Sequence, residues 1–416
     1  MPESLEWISD ILSDIISQYL SKKILTLKIL WSRKRLREGG KRLFPGKKQL
    51  ASQVQLKHLS LRNYRNYENL SLPFYTGLNV IHGRNAQGKT NLLESIYLVC
   101  GMRPFSGAKN SELVRFGCEA SLVKGEILSA NGLNEVHITV KKEGRHTRLN
   151  SKTVRSISQH FGRFKVVLFL PSDIEIVKGG LQARRNYLDS VVSAVHPAHI
   201  KQLRDYQRAV SQRNHMLGLK EKVSPLSVEL WDEQIARIGA DIVGRRIEMI
   251  KSFNRKLAEV YGEHGESDTS ARVSYGFSFE RGSDIAEAIR EALSKNFPSD
   301  RKRGHTTVGP HRDRVGFLLN GQDASRFASQ GQSKNLVLAL KASEIRLFKE
   351  HTGTNPILLL DDITSELDIK RRSFLFKTLS EFTGQVFVTS TDKNEIPRRG
   401  EFHSFLVDSG RVKAGA

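Results

Sequence analysis

The octet Gly83-Arg84-Asn85-Ala86-Gln87-Gly88-Lys89-Thr90 has the spacing G-x-x-x-x-G-K-T. Its glycines permit backbone dihedrals that other residues resist, so successive N–H groups can converge on one phosphate. Lys89 then sets a point positive charge near the outer phosphates, and the Thr90 hydroxyl can ligate Mg2+. Far downstream, Ile357-Leu358-Leu359-Leu360 ends in two carboxylates, Asp361 and Asp362. Asp361 suits a magnesium ion held through water, and Asp362 is placed to polarise an attacking water. Between these two constellations stands Ser329-Gln330-Gly331-Gln332, ahead of the apolar positions Leu336, Val337, Leu338, Leu340 and Ile345. A helix opening there offers the Ser329 hydroxyl and the Gly331 amide to a phosphate oxygen.

Positioning these groups needs specific elements. A buried strand over Leu78–His82 delivers the chain to the octet, and a helix from Lys89 follows, with Leu92, Leu93, Ile96, Tyr97 and Val99 on its apolar side. Four consecutive aliphatic residues at 357–360 predict burial on both faces, as in the centre of a helix-flanked sheet. Further strands are expected at Gln55–Leu61, Asn69–Leu72, Val273–Phe279 and Gln385–Thr389, and a helix at Gln332–Lys349. From Leu181 to about Gly262 the apolar residues recur at helical spacing, among them Ile235, Ile238, Ile242, Ile250 and Leu257. The layout predicts an α/β protein. One lobe, a mixed sheet with flanking helices, is built from 54–180 plus 300–416, and a mainly helical lobe over 181–299 is inserted between.

The 416 residues carry a formal charge of +22. That excess favours a polyanionic partner, nucleic acid or an anionic membrane surface, and phosphate attraction of this kind reads no base sequence. Arg184, Arg185, Lys201, Arg204, Arg208 and Arg213, with Arg245, Arg246, Lys251, Arg255 and Lys256, are expected to line a basic groove for DNA phosphates. No helix-turn-helix, zinc-finger or RNA-recognition signature suggests base-specific reading. No apolar run approaches the roughly 20 residues of a membrane span, so stable membrane insertion is not expected. Cys100 and Cys118 read as reduced residues of a cytosolic protein. Residues 1–53 differ from the rest: Leu5, Ile8, Ile11, Leu12, Ile15, Ile16 and Leu20 at helical spacing, then a Lys/Arg-rich stretch. Three readings stand for them: a membrane-surface or DNA-binding arm, a weakly structured extension without a dedicated role, or a mis-assigned start ahead of Val54.

Taken in order, the phosphate loop, the Ser-x-Gly-Gln element and the acidic strand end resemble the heads of ABC-type ATPases. That resemblance implies ATP and Mg2+ as cofactors. It also implies an ATP-dependent, head-to-tail homodimer in which Ser329, Gln330, Gly331 and Gln332 face the partner's phosphate loop. Ser365-Glu366-Leu367-Asp368 fits the segment crossing that interface. Two departures predict slow turnover, and the second also argues against the transporter branch. Asp362 stands where most heads have Glu, and Val388-Thr389-Ser390-Thr391-Asp392 has no switch His, with Thr391 at about its place.

A narrower resemblance, over about Val54 to Val412, is to the RecF family of DNA replication and repair ATPases. It rests on Leu56–Tyr67, the phosphate loop, Val166–Val177, Arg184–Asp189, Leu230–Ile235, Gly309-Pro-His-Arg-Asp313, Phe327–Gln332 and Leu358–Asp368. It implies a cytosolic protein that binds single-stranded or gapped duplex DNA and acts with RecR and RecO to place recombinase at gaps. Its ATPase is expected to be weak and DNA-stimulated, with Lys89, Asp361 and Asp362 carrying the chemistry. Two other classes compete. A motor subunit coupled to a membrane partner is disfavoured by the missing His, and a nuclease of the overcoming-lysogenisation type needs an acidic metal domain for which there is no spare length.

Overall fold

The computed structural model describes residues 53–155, 163–219, 224–263, 269–362, 369–393, 396 and 402–415. The N-terminal extension (all but Gln53) and the Ser365–Asp368 segment lie outside the described residues.

Alternating apolar residues build an antiparallel sheet of β1 (Gln55–Tyr64), β2 (Tyr67–Pro73), β4 (Ala120–Ser129), β5 (Gly132–Lys141), β6 (Gly144–Leu149) and β7 (Lys152–Thr153), in the order β2-β1-β4-β5-β6-β7. The unbroken aliphatic runs go elsewhere. β3 (Leu78–His82), β8 (Val166–Phe169), β12 (Ile357–Leu360), β13 (Val386–Ser390) and β14 (Phe402–Asp408) are parallel, in the order β14-β3-β13-β12-β8. β15 (Arg411–Gly415) adds one antiparallel edge strand beside β14. Every residue of β12 and β13 is buried, which is why these strands read as apolar runs rather than as alternation.

Alternate residues of this parallel sheet enter different cores. Ile81, Ile357, Leu359, Phe387 and Phe405 pack with Leu92, Leu93 and Ile96 of helix α1 (Lys89–Gly101) and with the apolar face of the antiparallel sheet. Val80, Leu358, Leu360, Val386 and Val388 pack the other way, on Leu338 and Ile345 of α6 (Gln330–Thr352) and Leu375 of α7 (Ile369–Glu381). The first helix is therefore clamped between two sheets, and the loop before it inherits that rigidity.

The stretch between β8 and β12 contains α2 (Leu181–Val195), α3 (Ala198–Leu217), α4 (Pro225–Glu263) and α5 (Ile285–Arg303). It also contains a small antiparallel sheet of β9 (Ala271–Gly276), β10 (Arg314–Leu319) and β11 (Gln322–Asp323). The sequence boundary expected at 299/300 falls inside α5, and β9 pairs along its whole length with β10 beyond it. Local composition could not reveal this, because the strand that completes the small sheet follows the expected edge. The two regions also share a helix. Leu336, Leu340 and Leu347 of α6 join a core with Phe253, Leu257, Val315 and Phe317, while Leu338 and Ile345 face the parallel sheet.

Candidate functional site

The phosphate-loop octet runs from the end of β3 into α1. Gly83 has φ 150° and Gly88 φ 116°. A Cβ at Gly83 would stand 2.2 Å from the Val407 carbonyl oxygen, which excludes a side chain on conformation and on space, and one at Gly88 would displace the Asn66 amide, 2.4 Å away, besides straining the backbone. The Lys89 ammonium, buried to 7% exposure, donates to the carbonyls of Gly83 at 2.6 Å and Arg84 at 2.9 Å.

Asp361 sits at the carboxyl end of β12, with its oxygens 3.0 and 2.9 Å from the donating Thr90 hydroxyl. Thr389 donates to the same carboxylate at 2.8 Å and accepts from the Asp362 amide at 2.8 Å. Asp362 itself turns the chain with φ 44°. A cavity of about 260 Å³ is lined by Asn85, Ala86, Gly88, Lys89, Thr90, Asn91, Asp361, Asp362 and Thr389. Burial raises the Asp361 carboxyl above its ordinary range, with Asp362 adding to that and the bonds from Thr389 and Thr90 opposing it. Burial also lowers the Lys89 ammonium, against the pull of Asp362 and Asp361. Each charge is thus held in a setting that disfavours it, a common mark of functional sites.

The hydroxyl brought into the cavity is Thr389. Thr391, expected at the switch position, lies past the end of β13 and is exposed. Strand register explains the difference: Leu360 pairs with Val388, so the next residues, Asp361 and Thr389, end level with each other. Aligning the two apolar runs would have found this.

A second group escaped sequence reasoning. The turn between β1 and β2 braces the octet from outside: Asn66 Nδ2 donates to Gln87 O at 2.9 Å, Tyr67 Oη to Gly88 O at 2.9 Å, and Asn91 Nδ2 to Asn66 Oδ1 at 2.8 Å. Ser409 N–H and Gly410 N–H hold Gln87 from the β14–β15 turn. Arg65 anchors the turn on buried Glu94 of α1, at 2.8 and 2.5 Å. The motif Asn63-Tyr-Arg-Asn-Tyr67 is therefore scaffolding for the phosphate loop.

Ser329 caps α6. Its Oγ accepts from Gln332 N–H at 3.1 Å, and Gln332 Oε1 accepts from Ser329 N–H at 2.9 Å, a closed capping box. Lys178 steadies the approach to it, donating to the Ala328 carbonyl at 2.6 Å. Ser329, Gln330 and Gln332 are exposed, and neither they nor Gly331 line the cavity around Lys89. One chain brings together the octet, Asp361 and Asp362, and leaves Ser329–Gln332 apart from them.

The basic groove requires correction. Four of the eleven cations expected to face DNA are interior: Arg184, Arg185, Arg213 and Arg246 are all below 8% exposed. Arg213 joins α3 to α4 and α5, donating to Asp232 at 2.5 Å and Asp300 at 2.6 Å. Arg246 grips Asp189 through two bonds of 2.8 and 2.7 Å and reaches the Pro310 carbonyl at 2.7 Å. Burial pushes the Asp189 carboxyl up, but the bonds from His199 and Arg246 outweigh it and leave it below its ordinary range. Arg184 lies 3.7 Å from Asp323. Of the remaining seven, Lys201, Arg204, Arg208, Lys251 and Arg255 are exposed, and Arg255 and Lys256 pair with Glu350. The Gly309–Asp313 motif belongs to the same interior lattice, since Asp313 accepts from Tyr275 and Ser278, and its carbonyl accepts from Arg185.

Both cysteines are free thiols. Cys100 is buried in the core, its thiol pushed up to about 12 by that burial, and Cys118 is half-buried. No helix among the described residues is long and apolar enough to cross a membrane.

Comparison with known proteins agrees with this geometry. The family model described as the RecF/RecN/SMC N terminal domain matches residues 55–406. The DNA replication and repair protein RecF of Geotalea uraniireducens is 36% identical over 367 residues, 86% of this chain and 100% of that protein. A solved structure of the recombination mediator protein RecF-ATP in the RecFOR pathway superposes with a TM-score of 0.79 at 34% identity, covering 87% of this chain and 99% of that one. The Smc head domain of Pyrococcus furiosus, at 15% identity and a TM-score of 0.54 over 87% of this chain and 96% of that one, shares the fold. With an SMC-type ATPase head, a phosphate loop facing an acidic strand end, and relatives matched over their whole length, this chain belongs to the RecF family of DNA replication and repair proteins.

Proposed function

We propose that this chain binds ATP with Mg2+ in the cavity around Lys89, closes on ATP into a head-to-tail homodimer, and in that state binds DNA at gaps. The observation that carries the reading is the contact between Thr90 and Asp361 beside the phosphate loop. A hydroxyl and a carboxylate oxygen are the hard donors Mg2+ takes when most of its shell is water and phosphate. Among the described residues no cluster of three or more His, Cys, Asp or Glu offers a cage for a metal, which suits an ion shared with a nucleotide.

When bound, Mg2+ would neutralise charge on the outer phosphates. The chain does the rest. Lys89 leaves two loop carbonyls to meet phosphate oxygens, and the N-terminus of α1 adds converging amides. Thr90 and Asp361 orient the metal side. Asp362 positions the attacking water, and its short side chain supports slow hydrolysis. Thr389 holds both carboxylate-bearing residues in register. Because Ser329, Gln330 and Gln332 are exposed and the element lies away from this cavity, its phosphate is assigned to the partner protomer. The exposed cations Lys201, Arg204, Arg208 and Lys251 supply sequence-independent DNA contacts. RecR and RecO are the partners, the setting is the cytosol, and recombinase loading is the outcome, by kinship with the RecF proteins.

Sizing the protein with and without ATP and gapped DNA, wild type beside Lys89→Met, tests this. ATP-dependent dimers that bind DNA and vanish in Lys89→Met are expected. A monomer that binds gapped DNA equally well without ATP overturns the reading.

A further inference from the structure

A cavity of about 730 Å³ opens among α2, α3, α4 and the Gly309–Asp313 turn, and it shares no residue with the cavity around Lys89. Among the described residues its wall is strongly cationic: Arg103, Arg155, Arg185, Arg204 and Arg246 line it, against a single carboxylate, Asp189. That carboxylate is already committed to Arg246 and His199. Arg185 is the informative member. It is 7% exposed, and among the described residues no carboxylate closes on it. Within the described residues it donates to the Asp313 carbonyl and to Gln182, both at 2.8 Å, and its buried Nε–H meets no acceptor there. Burial, with Arg246 close by, lowers its guanidinium below the ordinary value against the pull of the Asp189 and Asp313 carboxylates, neither of which pairs with it directly. A buried guanidinium is normally matched by an anion, as Arg213 and Arg246 are in this same lobe. The rest of the wall is apolar where Leu203, Ile242 and Pro310 contribute.

We propose that this cavity is a second anion site, separate from the phosphate loop, taking a phosphomonoester carried on a nucleoside-sized body. The volume lies within the range of small-molecule pockets, roughly 300–1,000 Å³, which admits one nucleotide and excludes a duplex. The phosphate meets the guanidinium groups, bidentate geometry favouring Arg over Lys for this task, and the apolar wall takes the base or sugar. Two sources carry that chemistry: the phosphorylated terminus of a DNA strand, and a free nucleotide.

Two matched pairs of probes test the site and separate the sources. Binding is measured for a short single-stranded oligonucleotide with a 5′-phosphate against the same oligonucleotide with a 5′-hydroxyl, and for dAMP against deoxyadenosine. The phosphorylated member of at least one pair is expected to bind about tenfold tighter, roughly 1.4 kcal/mol. That preference is lost in Arg204→Gln and Arg185→Gln and kept in Lys89→Met. Arg204 is exposed on the cavity rim, so its variant keeps the wild-type melting temperature even where Arg185→Gln does not. Preference confined to the oligonucleotide pair assigns the site to a strand terminus, and preference confined to the dAMP pair assigns it to a free nucleotide. The proposal is overturned if neither pair discriminates, if discrimination survives in Arg204→Gln, or if it disappears in Lys89→Met instead.

Discussion

Buried charge is handled in two opposite ways in this molecule. In the helical region, Arg213 and Arg246 each meet carboxylates at 2.5–2.8 Å, and helices distant in sequence are tied through them. Around the phosphate loop, Lys89 closes on carbonyls rather than carboxylates, while Asp361 takes the Thr90 and Thr389 hydroxyls as partners and Asp362 follows it with its amide on Thr389. The first arrangement is complete within the chain and serves architecture. The second holds Lys89 and Asp361 in surroundings that disfavour their charges, and the chain accepts that electrostatic cost in order to hold the site ready.

Substitutions on either side can break this contrast. Lys89→Met is expected to lower ATP hydrolysis by about a hundredfold or more, with the melting temperature unchanged; a large loss of stability would make Lys89 architectural. Asp300→Asn reverses the pattern. It leaves Arg213 short of a partner in the interior and should destabilise by about 3–5 kcal/mol in urea unfolding, while low-temperature hydrolysis survives. Acid sharpens the point at His311, whose imidazole is lowered to about 4, chiefly by burial. Its folded value lies below its unfolded one, so its stabilising contribution is complete above the ordinary value of 6.5 and is lost as pH falls toward about 4. His311→Gln should flatten the stability profile across that window. Thr389→Val removes the hydroxyl shared by Asp361 and the Asp362 amide; about 1–3 kcal/mol of stability should go with it, along with a drop in hydrolysis. A small effect on stability, of the opposite sign, is expected from Asp361→Asn. Its carboxyl is raised in the fold, so the charge costs stability at neutral pH and relief comes only on protonation. The neutral variant should therefore melt slightly higher while losing hydrolysis.

Much of the nucleotide side was legible in sequence because its signals are contiguous. The octet, the run at 357–360 and the helix opening at Ser329 each declare their geometry within a dozen residues or fewer. Thr389 was not legible by itself, since its role is set by the pairing of Leu360 with Val388. The arginines misled for a related reason: a guanidinium looks the same in sequence whether it faces water or Asp300, which lies 87 positions from Arg213. Periodicity held the missing clue. Arg246 falls on the same helical face as Ile242, Met249, Ile250 and Phe253, and Arg213 on that of Tyr206, Ala209, Val210 and Leu217, all buried.

Helix α6 has a mechanical consequence. At 23 residues it is roughly 35 Å long, and its side chains are keyed into two cores at once. Such a rod behaves as a beam with its free tip at Ser329. A tilt of about 5° there would move the far end by about 3 Å over that length, more than close-packed interiors absorb. Load applied at the tip must then displace the sheet and the helical region against one another, or not move the beam at all.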